Sequence, residues 1–256
     1  MALHKRKGFI HHKKNFDTSL IREVVFGMED GMVSTFGAVV GIAATTSNPF
    51  TVILAGSILI AVESLSMAVG SYLSSKSEKE IDQRKLDEEK IELRESPLEE
   101  KEELATMFIQ DGWPKKLATE MSQVASKNKK LFLREMAYRE LKVFPEQKGS
   151  PTKNALAMGV SYIIGGAIPL FSYFIFPIAT AIPISIGVTL IGLFLLGVAT
   201  SHFSKRNWWR SGMEMLLLAT AAGAIGYLVG QLVDIFGKQP AFDFSFFLGY
   251  YRKKKI

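Results

Sequence analysis

The chain of 256 residues contains no cysteine. That excludes disulfides and any thiolate metal site. Histidine is almost as scarce: His4, His11 and His12 lie in the N-terminal tail, and His202 stands alone near the end of an apolar run. No Glu-x-x-His pair exists, so a ferritin-like di-iron oxidase centre lacks its usual ligand set. No G-x-x-x-x-G-K-[ST] occurs, so no P-loop couples the protein to ATP. No Ser/His/Asp arrangement stands out, and no enzymatic activity is expected. Tandem repeats and low-complexity tracts are lacking too. The opening MALHKRKGFIHHKK is basic, but no short apolar segment with a small-residue cleavage site follows it. A cleavable signal peptide is therefore not expected. The HHKK stretch reads equally as a lipid-attracting patch or a solvated tail.

Against these absences stand five apolar runs, at roughly 24–46, 50–73, 154–176, 180–202 and 211–236, in a chain that is 48% hydrophobic. About 20 apolar residues suffice to cross a bilayer core of about 30 Å as a helix. Only helices and closed barrels satisfy backbone groups in lipid, and these runs lack strand alternation. The expected fold class is an all-α membrane protein of five transmembrane helices, with a cytosolic three-helix acidic insert between spans 2 and 3. The segments are then a basic N-terminal tail at 1–20, helices 1–2 at 21–73, the insert at 74–153, helices 3–5 at 154–237 and a C-terminal tail at 238–256.

Charge sets the orientation. The net charge is +6; about two thirds of the acids and about half of the basic residues fall between Ser74 and Ser150, which leaves both tails net basic. The tail, the long connection after the second run and the loop with Lys205, Arg206 and Arg210 are rich in Lys and Arg, whereas TTSNPF and FPIATAIP carry no charge. The positive-inside rule puts the N-terminus and the insert in the cytosol. Five spans leave YRKKKI on the far side, against that rule, unless AFDFSFFLGYY re-enters.

The insert reads as helical. Glu78 to Arg94 is rich in good helix formers and continues the second span out of the membrane. It stops at Ser96-Pro97, where Ser96 is expected to cap a second helix, with Pro97 first and Glu99 completing a capping box. That helix ends at Asp111-Gly112. A third starts near Pro114 and runs to Phe144-Pro145, with a break possible near Asn128. Gly27-xxx-Gly31, Gly37-xxx-Gly41 and Gly226-xxx-Gly230 suit close helix approach, within one chain or across a dimer.

Two constellations carry chemistry. The first is Glu29 and Asp30 inside an apolar run. Either they cap a helix at the interface, or they form an ion site on a polar pathway, the default role of an intramembrane carboxylate. They point about 100° apart on a helix, so one faces a pathway without the other. Glu63 and Met67, four apart, share one face of the second span. A Met beside a buried carboxylate is packing or a soft thioether ligand. The second constellation is in the insert. Glu89 and Glu92, Glu100 and Glu103, and Met136 and Glu140 each share a helix face. Folding at Ser96-Pro97 brings the first two pairs together. Hard oxygen ligands with a thioether suit a reversibly bound divalent cation such as Fe²⁺, Mn²⁺ or Zn²⁺. Glu-rich helices laced with Lys are also ordinary solvated faces.

EVVFGMEDGMVSTFGAVVGIAA, followed by ESLSMAVGSYLSSKSEKE, resembles the vacuolar iron transporter family, as does the layout of five spans with an acidic insert after the second. The resemblance covers nearly all of the chain beyond residue 20. It implies a homodimeric carrier exchanging Fe²⁺ for protons. Carboxylate and thioether ligands serve Mn²⁺, Zn²⁺ or Co²⁺ as well, so a carrier of another divalent cation is one alternative, and a membrane iron-binding protein that moves nothing is the other. The resemblance implies an ion path between protomers lined by the first two spans, with Asp30 as the transport aspartate and Met67 as the pathway methionine. It assigns the cytosolic metal ligands to Glu89, Glu92, Glu100, Glu103, Met136 and Glu140. The chain departs from the family at Ala137, where a second methionine is common, and at Ser71, where Glu is common. Glu63, one turn before Met67, is a candidate to replace that charge.

Overall fold

A computed structural model describes residues 18–143 and 149–237. The tail histidines and HHKK, the expected end at Phe144-Pro145, and the C-terminal AFDFSFFLGYY and YRKKKI lie outside these residues. Among the described residues all regular structure is α-helical: α1 (Thr18–Ala43), α2 (Pro49–Glu95), α3 (Pro97–Gln110), α4 (Lys115–Ser126), α5 (Lys129–Arg139), α6 (Pro151–Ile175), α7 (Ile178–Ser204) and α8 (Trp208–Gly237). Four of them, α1, α2, α6 and α7, are long and apolar enough to cross a membrane. The 30-residue α8 covers the fifth apolar run. The 47 residues of α2 rise about 70 Å at about 1.5 Å each, more than twice a bilayer core. Its C-terminal half therefore stands outside any span.

The chain divides into two units, one from Met1–Ser71 with Lys153–Ile256 and one from Tyr72–Thr152. In the first, the glycine motifs explain the packing. A Cβ on Gly27 would strike Ser161 and Met158 of α6, and one on Gly31 would strike the Tyr162 carbonyl. Further along α1, a Cβ on Gly226 of α8 would lie 2.5 Å from the Gly37 carbonyl, and one on Gly230 2.8 Å from that of Gly41. Thus all three motifs make close approaches within the chain. Pro169 has no N–H for the α6 ladder. Its own carbonyl is held by the hydroxyls of Ser172 (3.2 Å) and Ser185 (2.8 Å). Val39, Val52, Leu170, Tyr173 and Ala181 fill the apolar interior.

In the second unit, the end of α2 is followed by α3, α4 and α5. Their core is Leu104, Phe108, Ala118, Ala125, Phe132 and Met136. Gly112, at φ +97°, ends α3 in a conformation that favours glycine. The break named near Asn128 is there: Asn128 leaves the helical conformation and its side chain accepts from the backbone N–H groups of Lys130 and Leu131, starting α5 afresh. One local expectation changes. Ser96 does stand before α3, with Pro97 first, but its hydroxyl caps nothing and no capping box with Glu99 forms. Proline already removes one of the helix's unpaired N–H groups, and the Ser96 carbonyl takes the Glu100 N–H at 3.1 Å.

Candidate metal centre

The Ser96-Pro97 break reverses the chain between two Glu-bearing helices. Glu89 of α2, Glu100 of α3 and Glu140, the residue that caps the C-terminus of α5, come together. Each offers a carboxylate oxygen within 4.8 Å of the other two. Glu89 is 1% exposed and Glu100 7% exposed. Both Glu89 oxygens and Oε2 of Glu100 are buried without a hydrogen-bond partner. A buried polar group without a partner is expensive, and a carboxylate more so.

The electrostatics agree. Burial, first, and then repulsion from Glu140, Glu100 and Glu92 push the Glu89 carboxyl up to about 8. Burial and then Glu103, Glu140, Glu92 and Glu99 push Glu100 up to about 7. Glu140 is raised too, by burial and then by Glu103 and Glu92. Three carboxyls that resist ionisation, first because of burial and then because they face other carboxylates, have two remedies, a proton or a cation. Hard oxygen donors suit a divalent cation.

The remaining insert residues are placed differently. Glu92 and Glu103 are exposed at the margin, Glu92 within electrostatic reach of all three and Glu103 of Glu100 and Glu140. Met136 is fully buried in the apolar core beside Leu104 and Phe108. Ala137 is equally buried against Leu86 and Val143, so its methyl fills a small apolar site.

In the membrane unit, Asp30 and Glu29 are partly buried on α1, as are Glu63 and Met67 on α2. Asp30 and Glu63 are near enough for their charges to interact. The Ser34 hydroxyl donates to the Asp30 carbonyl at 2.6 Å and meets the Tyr162 hydroxyl at 2.6 Å. Sequence reasoning passes over Glu23. It is 5% exposed, takes Arg22 at 2.9 Å, and accepts from the Ser71 hydroxyl at 2.9 Å. The signal was present: Glu23, Gly27 and Gly31 are spaced four apart, so the stripe that seats α1 on α6 also buries Glu23. Ser71 is also where the resemblance leads one to expect a second carboxylate; here a hydroxyl donor meets Glu23 instead.

The sequence model of the VIT family matches residues 21–231. Among similar proteins, Vacuolar iron transporter 1 of Arabidopsis thaliana is 28% identical over 226 residues, spanning 88% of this chain and 90% of that one. Vacuolar iron transporter 1 of Tulipa gesneriana is 28% identical over 226 residues, 88% of this chain and 92% of its own. The vacuolar iron transporter of Plasmodium berghei is 28% identical over 233 residues, 87% and 85% of the two chains. The family match takes in Asp30, Glu63 and Met67 as well as the Glu89, Glu100 and Glu140 cluster, and the chain belongs to the VIT family.

Proposed function

We propose that the protein is a homodimeric, proton-coupled carrier that exports Fe²⁺ from the cytosol. The observation that carries this reading is the cluster of Glu89, Glu100 and Glu140, whose buried oxygens have no donor of their own. Relatives named as vacuolar iron transporters make iron the first candidate among divalent cations. In this reading the chain crosses the membrane five times, with α8 as the fifth span. The N-terminus and the Tyr72–Thr152 insert face the cytosol, and the membrane is a vacuole-like or cell membrane.

The roles follow from the chemistry. Glu89, Glu100 and Glu140 capture the cation, Glu92 and Glu103 raise its local concentration, and Met136 is available as a thioether should its packing open. Asp30, with Glu63 and Met67, carries the cation through the membrane at the axis between protomers. A carboxylate within hydrocarbon needs a counter-charge or a proton. Cation and proton therefore compete for Asp30, and that competition couples their opposite movements.

The test is Fe²⁺ flux into sealed proteoliposomes under an imposed pH gradient, with metal and pH dyes read together. Metal entry coupled to proton exit, and absent in Asp30→Asn, is expected. Full transport by that variant sinks the mechanism. Binding without flux in the wild type makes the protein a membrane-anchored iron-binding protein. Flux of Mn²⁺, Zn²⁺ or Co²⁺ in preference to Fe²⁺ changes the cargo and keeps the mechanism.

A further inference from the structure

In this mechanism α1 and α2 carry the ligands within the membrane, and α6 carries none. We propose that Tyr162 of α6 is a positioning residue for transport, holding, through Ser34, the turn of α1 that bears Asp30. The inference rests on the carrier function proposed above.

Tyr162 is fully buried. Its hydroxyl lies 2.6 Å from Ser34 Oγ, and Ser34 Oγ donates to the Asp30 carbonyl at 2.6 Å. A serine hydroxyl has one proton. It is committed to the Asp30 carbonyl, so the phenol must be the donor in the other bond. The chain runs in one direction, from Tyr162 O–H to Ser34 Oγ and from Ser34 O–H to the Asp30 carbonyl. The charges of Asp30 and Glu63 both reach the Tyr162 hydroxyl.

The backbone around it has no slack. Gly31, next to Asp30, sits on the Tyr162 carbonyl, and Gly165 sits on that of Met28. On the α2 side, a Cβ on Gly166 would lie 2.8 Å from Ile60 Cγ1, and one on Gly159 3.3 Å from the Ser64 carbonyl. So α6 is seated on both α1 and α2, and its Tyr162 phenol is bonded towards Asp30. A misplacement of about 1 Å in a reacting group costs rate far more than it costs affinity.

A buried tyrosine usually finds a partner for structural reasons alone. Tyr173, also on α6 and 2% exposed, supplies the control, because it packs among Val39, Val52, Leu170 and Ala181 and its hydroxyl makes no hydrogen bond. The full-length protein is tested in the same proteoliposome assay. Tyr162→Phe keeps the ring and removes the hydroxyl. Its maximal Fe²⁺ flux is expected to fall about tenfold, with KM within about twofold of wild type. Ser34→Ala is expected to fall equally, and the double variant no further than about twofold beyond either single, because both remove one chain of bonds. Tyr173→Phe is expected to transport normally, with a thermal midpoint in detergent unchanged or raised, because the Tyr173 hydroxyl is buried without a hydrogen-bond partner.

Wild-type flux in Tyr162→Phe overturns the inference, as does an equal loss in Tyr173→Phe or an effect on KM alone. If Tyr162→Phe does not yield folded protein, Ser34→Ala breaks the same chain from α1 and decides by the same criteria. A wild-type protein without flux overturns the carrier function and this inference with it. Wild-type flux beside an unimpaired variant overturns only the role of Tyr162.

Discussion

Two buried glutamates, one in each unit, are treated in opposite ways. Glu23 is 5% exposed, with Arg22 on one oxygen and the Ser71 hydroxyl on the other. Glu89 is 1% exposed, has no partner on either oxygen, and faces other carboxylates. Donors around a buried carboxylate satisfy it and make it a tie between helices. A buried carboxylate among its own kind is unsatisfied until something positive arrives. Burial alone therefore does not mark a binding site; the sign of the neighbours does.

The largest expected effect falls on Glu89. Glu89→Gln is expected to weaken Mn²⁺ binding by the full-length protein about 100-fold, measured by calorimetry in detergent, since the most buried charged ligand of the three is lost. The same change acts oppositely without metal. The Glu89 carboxyl is raised from about 4.5 in an open chain to about 8 in the fold. As pH rises from about 4.5 the unfolded chain loses its proton first, so stability falls until pH passes about 8. Glu100 adds the same sign of effect up to about 7. Metal-free protein is thus expected to lose thermal stability across that window, and Glu89→Gln to lose less. A variant that binds metal as well as wild type, or has the same pH profile, breaks the contrast between the two glutamates.

Next come the glycines that bury Glu23. Gly31→Ala drives a methyl into the Tyr162 carbonyl, which is backbone and cannot move aside, whereas Gly70, also in the membrane unit, has nothing within 4 Å of a Cβ. Gly31→Ala is expected to destabilise the protein by about 2–3 kcal/mol, and Gly70→Ala to leave the thermal midpoint unchanged or raise it. Equal midpoints for the two variants count against the close α1–α6 contact.

These particulars separate what the sequence reveals from what it hides. The helices are legible because apolar runs and helix formers are local signals. The breaks at Ser96-Pro97 and Asp111-Gly112 are legible because proline and glycine act on their own backbone. The meeting of the α2 and α3 glutamates follows from the first break. Which member of each pair turns inward does not, because the rotation of α3 is set by Leu104 and Phe108 packing on residues of α4 and α5 far along the chain. Glu23 is hidden by its place at the start of an apolar run, where a charge normally meets water. Tyr162 is hidden because one tyrosine in an apolar run has no pattern, and its partner lies 128 residues away.

Glu23→Gln tests the satisfied carboxylate. It keeps the shape and one acceptor but loses the charge that Arg22 and Ser71 address. A loss of about 1 kcal/mol is expected, with metal binding at the insert unchanged. A stabilising effect would make Glu23 resemble Glu89 and remove the distinction drawn between them.

The smallest effects contrast two helix starts within the insert. Asn128 Oδ1 accepts from Lys130 N at 3.1 Å and Leu131 N at 3.2 Å, so Asn128→Ala leaves two N–H groups without that partner and is expected to cost about 1 kcal/mol. Ser96 looks the better cap in the sequence, yet its hydroxyl makes no cap bond. Ser96→Ala is therefore expected to leave the thermal midpoint of the full-length protein where it is. The pair of substitutions separates residue type from geometry: equal losses mean that Ser96 caps α3 after all, and a loss at Asn128 alone means that α3 starts on Pro97 and the Ser96 carbonyl. The second outcome also leaves the Ser96 side chain free of any part in bringing Glu89 to Glu100, a task that the proline-directed turn of the backbone then performs alone.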